Sequence, residues 1–153
     1  MDKATVVDGF REKIREQFAL LKGASDAARE DATDEESRAR SKYETQGLET
    51  SYLAAGQAAR AEELSEVAIA FNNAPFPPFP SDAVIAEGAL VQVDFAGDDD
   101  WFLLAPTAGG LSIEIDGSEI TVLSPETPLR KELQGLRVGD TLPQRRLTVR
   151  GVS

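Results

Sequence analysis

Four of the six residues from Pro75 to Pro80 are proline, within the run NNAPFPPFPSDA. No helix passes through such a stretch, because proline lacks the backbone N–H and its ring clashes with the preceding turn. The segment favours extended polyproline geometry. It therefore divides the chain, and the two sides carry different hydrophobic periods. A PxxP ligand is one reading, but the segment is short and isolated. The reading preferred is a hinge whose Phe76 and Phe79 pack the base of the preceding helices onto the following domain.

Before the prolines the period is helical. Val7, Phe10, Ile14, Phe18 and Leu21 recur at three- and four-residue steps, and Ala24, Ala28 and Ala32 continue the stripe. This predicts a helix from Lys3 to about Ala32. A second run, from about Tyr43 to Asn72, carries Leu48, Tyr52, Ala55 and Ala59, then Leu64, Val67, Ala68 and Phe71. Alanines 54, 55, 58 and 59 would let a partner helix approach closely. Two runs of this length with a short polar join suggest an antiparallel hairpin with arms of about 40–45 Å.

After the prolines the period is two. ALVQVDF alternates, WFLLA is a short buried run, LSIEIDGSEITVL alternates around Asp116-Gly117, and RLTVRGV ends the chain. About five short strands follow, with hairpin turns expected at Asp98–Asp100 and at Asp116-Gly117. Pro128 suits the first turn of a helix. Leu129, Leu133 and Leu136 are spaced to face a core, and Gly139-Asp140 turns toward the last strand. The fold class expected is α+β: a helical hairpin over 1–74, a proline-rich linker over 75–83, and a small antiparallel sheet domain with one short helix over 84–153.

Composition narrows the chemistry. The 153 residues include no cysteine and no histidine. Disulfides, thiolate chemistry and Ser-His-Asp catalysis are thereby excluded. Metal chemistry would run through carboxylates, which suit magnesium, calcium or manganese. The net charge is −11, with 10 basic and 15 acidic groups in residues 1–72 and 6 and 12 in residues 73–153. That excess disfavours free binding to a nucleic-acid backbone. MDKATVVDGF has no apolar signal core, and no run is long enough to span a membrane, so a cytoplasmic protein without membrane attachment is expected.

The region between the helical runs has the unusual chemistry. Six acids fall within Asp26–Glu36, followed by Arg38, Arg40 and Lys42. One reading is a solvated helix end. The sharper one is that Asp34, Glu35 and Glu36 present carboxylates to a hard divalent cation, which needs further oxygens from a partner. Ser124 lacks the base a nucleophile requires, and no other set supplies one, so a stand-alone enzyme is not expected. The basic groups of the second half are Arg130, Lys131, Arg137, Arg145, Arg146 and Arg150. They read either as a contact patch or as ordinary solvation, with solvation slightly preferred.

LSPETPLRKELQGLRVGD resembles the C-terminal signature of the Gre transcript-cleavage factors, the GreA/GreB family. The matching positions are Ser124, Pro125, Pro128, Leu129, Leu133, Gly135, Gly139 and Asp140. WFLLAPTAGGLSIEIDGSEITVL is similar to the strands before that signature in compact Gre-like proteins, and KYETQGLETSYLAAGQAARAEEL to their second coil helix. The resemblance implies an N-terminal coiled coil and an FKBP-like C-terminal domain. It implies docking at the secondary channel of bacterial RNA polymerase through Ser124, Pro125, Pro128, Leu129, Gly135, Gly139 and Asp140. It also implies tip acids (Asp34, Glu35 and Glu36) that assist cleavage of a backtracked transcript by the polymerase.

Magnesium would then be shared with the polymerase, through Asp34 and Glu35, and not bound by the chain alone. Arg130 stands where the family often has glycine. With Tyr43 aligned to the family tyrosine, Glu36 takes the place of the tip aspartate. Ala39, Arg40 and Lys42 take the places of the glutamate, asparagine and last glutamate. Three readings follow: a cleavage-stimulating factor, a channel-binding regulator without cleavage, or a general protein-interaction module. A monomer without sequence-specific nucleic-acid binding is expected.

Overall fold

The computed structural model describes the backbone of residues 1–38 and 44–153 and the side chains of residues 1–23 and 55–153. Helix α1 spans Lys3–Arg38 and α2 spans Glu44–Asn73. They are followed by β1 (Leu90–Phe95), β2 (Asp98–Leu104), β3 (Ser112–Ile115) and β4 (Ser118–Leu123). Then come α3 (Pro128–Leu133), β5 (Thr141–Leu142), a 3-10 turn over Pro143–Arg145, and β6 (Leu147–Val152). This is the expected α+β order, with α1 running further than the apolar stripe suggested. The acid-rich segment past Ala32 lacks apolar spacing, but it has no proline or glycine to stop a helix.

The chain forms two compact units. One is residues 13–68, which take in α1 from Lys13 onward and α2 up to Ala68; the other joins residues 1–12 to residues 69–153. In the first, Ile14 and Ala61 are buried, and Leu20 and Leu21 of α1 lie beside Leu64 and Val67 of α2. In the second, Phe10 of α1 meets Phe71 of α2.

In the second unit six strands form one sheet in the order β3-β4-β2-β1-β6-β5. The sheet is mixed, where an antiparallel one was expected: β2 and β4 pair in parallel, Trp101 opposite Ile120. The β3–β4 hairpin is inserted so that its second strand lies beside β2, and sequence alternation carries no information on strand direction. The sixth strand is the two-residue β5, too short to show an alternating pattern.

One face of the sheet buries Val91, Val93, Leu104, Leu123, Leu147 and Val149 together with Leu133 of α3, while Phe79, Leu129 and Leu136 pack against them. The neighbouring residues on these strands point the other way. There Leu90, Leu103, Ile120 and Val122 are also buried, as are Val6, Val7 and Phe10 of α1. A Cβ on Gly9 would lie 2.8 Å from Cδ1 of Ile113, so the first turns of α1 sit directly on β3. Phe76 stacks obliquely on Phe71 at 5.2 Å between centroids. The expected packing of Phe76 and Phe79 is therefore present within this unit.

Asp98–Asp100, expected as a hairpin turn, are instead the first residues of β2, opposite Phe95, Asp94 and Val93. The turn is Ala96-Gly97, with φ of 55° and 102°. Two residues of positive φ reverse the chain completely, so none of Asp98–Asp100 is needed in the turn itself. The Asp94 carboxylate fixes it by accepting the Gly97 N–H at 2.9 Å. Asp116-Gly117, with φ of 51° and 79°, is the same kind of turn, as expected.

Candidate functional site

The residues from Ser124 to Asp140 form a continuous turn–helix–turn on the sheet. Ser124 to Thr127 is a β-turn, closed by the Thr127 N–H donating to the Ser124 carbonyl at 3.0 Å. Pro125 takes the position of that turn that a fixed φ favours. Pro128 then opens α3, where a missing N–H costs nothing. The two prolines three apart thus perform two jobs in succession. Leu133 is fully buried, while Leu129 and Leu136 pack at the core margin, as their spacing predicts.

Gly135, with φ of +87°, carries the chain out of α3. Its N–H donates to the Ile85 carbonyl, and the Ile85 N–H donates to Leu136, which ties the helix end to the segment entering the sheet. At the second turn the Asp140 carboxylate accepts the Arg137 N–H at 2.8 Å, and the Gly139 N–H donates to Val149 of β6. Pro125, Pro128, Gly135, Gly139 and Asp140 are exposed, whereas Ser124 is buried and Leu129 is half-buried.

Ser124 is held from two sides. Its hydroxyl donates to the Glu126 carboxylate at 2.7 Å. That bond is the first cause holding the Glu126 carboxyl below its usual range. On the other side Gly109 presses close, and a Cβ there would sit 2.1 Å from the Ser124 oxygen. A serine so enclosed, with its hydroxyl held by Glu126 and Gly109 against its oxygen, is a structural peg.

Arg130 belongs neither to a surface patch nor to solvated charges, against the expectation from sequence: its side chain is 4% exposed. Nη1 donates to the main-chain oxygens of Ala105 and Leu123, the residues at the ends of β2 and β4. Nη2 pairs with Glu87 at 3.0 Å. A buried guanidinium persists only where its donors are met, and here one fork satisfies three partners. A signal existed in the sequence: Arg130 lies three residues before buried Leu133, hence on the inward side of α3. Two of its partners, Ala105 and Glu87, lie more than 20 residues away in sequence and left no such mark. Of the other basic groups, Arg145 pairs with Glu132 and Arg150 with Asp94, while Lys131 and Arg146 are exposed.

The side chains of Asp34, Glu35 and Glu36 lie outside the described residues, as do residues 39–43; the backbone of 34–36 is helical. Among the described residues, no group of three or more acids is placed to hold a metal ion. Among them too, no helix is long and apolar enough to cross a membrane.

No family model matches the chain, and no curated protein does. Among solved structures, the chain is similar to GreA factor homolog 1 (Gfh1) of Thermus thermophilus, at 21% identity and a TM-score of 0.36, covering 94% of both chains. A structure of the transcription factor Gfh1 matches at 18% identity and a TM-score of 0.39, covering 94% of this chain and 93% of the other. Thermus aquaticus Gfh1 matches at 20% and 0.35 with the same coverage. Likeness at this level does not by itself fix a function.

Proposed function

We propose that this chain is a Gre-like elongation factor that binds RNA polymerase. In this reading the FKBP-like sheet domain docks at the secondary channel and the helical hairpin enters it, to act on paused or backtracked complexes. The observation that carries the reading is the Ser124–Asp140 segment. Its signature residues form one continuous surface element, with Pro125 and Pro128 exposed while Ser124, Arg130 and Leu133 are anchored below. An element built this way presents a rigid outline to a partner, at little ordering cost on binding. Contact then falls to Pro125, Glu126, Pro128 and the exposed turn at Gly139-Asp140. Two long helices, α1 and α2, are the second part such a factor requires.

Asp34, Glu35 and Glu36 are the residues that would assist the polymerase. Asp34 and Glu35 would share its magnesium, which supplies the charge stabilisation of phosphodiester hydrolysis. A specific observation favours a second reading, a channel occupant that does not stimulate cleavage. Ala39, Arg40 and Lys42 stand where the Gre tip pattern has glutamate, asparagine and glutamate.

The test is a stalled, backtracked elongation complex incubated with the protein and magnesium. Short 3′ RNA fragments that vanish in the triple variant Asp34→Ala/Glu35→Ala/Glu36→Ala support cleavage stimulation. Absence of fragments, with competition against a known Gre factor, selects the channel occupant. Failure to bind polymerase at all overturns both and leaves a general interaction module.

A further inference from the structure

The proline segment has a repeating pattern of burial. Phe76 and Phe79 are half-buried, while Pro75, Pro77, Pro78 and Pro80 are all exposed. A polyproline II helix repeats every three residues, so Phe76 and Phe79 share one face, Pro75 and Pro78 a second, and Pro77 and Pro80 a third. The phenylalanine face is taken up by packing, Phe76 on Phe71 and Phe79 against the sheet core. The segment is also braced. Lys3 of α1 donates to the Pro77 carbonyl and lies 4.6 Å over the Phe79 ring. Gly88 lies against it, where a Cβ would come within 2.9 Å of the Pro75 oxygen. Two proline ridges are thus held outward in a fixed conformation. Beside Pro78 is a cavity of about 500 Å³. Val7 and Phe76 give it apolar walls, and Asp8 and Arg11 give it a polar side, paired to each other at 3.1 Å.

We propose that the Pro75/Pro78 ridge and the cavity beside it form a docking surface for a protein partner that presents tryptophan or tyrosine side chains. Proline ridges of this spacing are what aromatic-lined grooves read, because a chain already stiff loses little freedom on docking. One ring of the partner enters the cavity and stacks against Pro78. Arg11 lines the same cavity, and a guanidinium is a favourable surface for an aromatic face. The ring's N–H or O–H donates to the Asp8 carboxylate, which is exposed. An aliphatic side chain would leave the guanidinium and the carboxylate unused, and a charged one would meet apolar walls. Ending α2 and packing the two phenylalanines require neither exposed proline ridges nor an open cavity alongside them. The surface uses none of the Ser124–Asp140 segment, so this docking and polymerase binding stand or fall separately.

Backbone amide NMR of the full chain, titrated with N-acetyl-L-tryptophanamide, tests the proposal, with N-acetyl-L-leucinamide as the aliphatic control. The amides of Ala4, Val7, Asp8, Arg11 and Phe76 should shift saturably with the tryptophan probe, at a millimolar Kd, and move little with the leucine probe. Pro75→Ser/Pro78→Ser and Arg11→Met should each weaken binding at least about threefold. Pro77→Ser/Pro80→Ser, on the other ridge, should leave it unchanged. Circular dichroism melting shows whether each variant keeps its fold. Arg11→Met alters a partly exposed group on α1, so it gives a reading even if the proline changes loosen the segment. Absence of saturable shifts, or equal shifts with the leucine probe, overturns the proposal. Binding that is undiminished in Arg11→Met, or in a folded Pro75→Ser/Pro78→Ser variant, overturns it as well.

Discussion

Replacing Arg130 by methionine keeps the length and apolar stem of the side chain and deletes its charge and donors. The consequences differ among its three partners. Glu87 is 48% exposed, so its carboxylate returns to water at little cost. The Leu123 oxygen keeps the Ala105 N–H as a donor at 3.2 Å. The Ala105 oxygen has no other donor among the described residues, and it becomes a buried orphan. An orphaned buried carbonyl costs about 1–3 kcal/mol, and a lost charge-assisted bond at Leu123 adds about 1 kcal/mol. The expected loss is therefore about 3 kcal/mol.

Trp101, the single tryptophan, lies in β2 directly opposite Ile120 of β4, so urea unfolding followed by its fluorescence reads the stability of this sheet. Glu87→Gln serves as the control, with an expected loss below about 1 kcal/mol. If Arg130→Met stays within about 1 kcal/mol of wild type while Glu87→Gln is the costlier change, the guanidinium acts through its surface pair and the reasoning fails.

Gly109→Ala should cost about 1–3 kcal/mol by the same assay, because the new methyl falls on the Ser124 side chain; Ser124→Gly in the same chain should recover most of it. Lys3 donates to the main-chain oxygens of Pro77 and Ser153 and lies 4.6 Å over the Phe79 ring, yet burial lowers its pKa from 10.5 to about 8. Between those values the unfolded chain holds the proton that the folded chain has released, so stability should rise with pH from about 8 to 10.5. Lys3→Met should flatten that slope in urea titrations run across the same range. Asp100, Glu119 and Glu114 stand side by side on β2, β4 and β3. Burial first, then Asp98, Glu119 and Asp99, push the Asp100 carboxyl upward. The charged form is the disfavoured one, so Asp100→Asn should raise stability at pH 7 by up to about 1 kcal/mol, a gain that shrinks as the pH falls and Asp100 takes up its proton.

Much of the architecture was legible because it depends on local rules. Leu129, Leu133 and Leu136 stand at helical spacing on a proline-opened helix, and that spacing alone put them at the core. Asp116-Gly117 was legible because few other pairs accept two positive φ angles. Ala96-Gly97 was not, because alanine is an uncommon first residue of such a turn and the three aspartates beside it looked like better turn formers. Arg130 reads as surface by its charge alone, and two of the three groups that satisfy it, Ala105 and Glu87, are remote in sequence.

Where the chain changes from helix to strand, which faces are apolar and which catalytic chemistries are excluded all follow from local sequence. These are consequences of side-chain period, proline geometry and residue type, and none needs a distant neighbour. The parallel pairing of β4 with β2, the contact of Gly109 with Ser124, and the buried arginine that joins the ends of two strands to α3 come from the folded arrangement. Each of those is a meeting of segments far apart along the chain, settled by which arrangement leaves no buried donor or acceptor unmet.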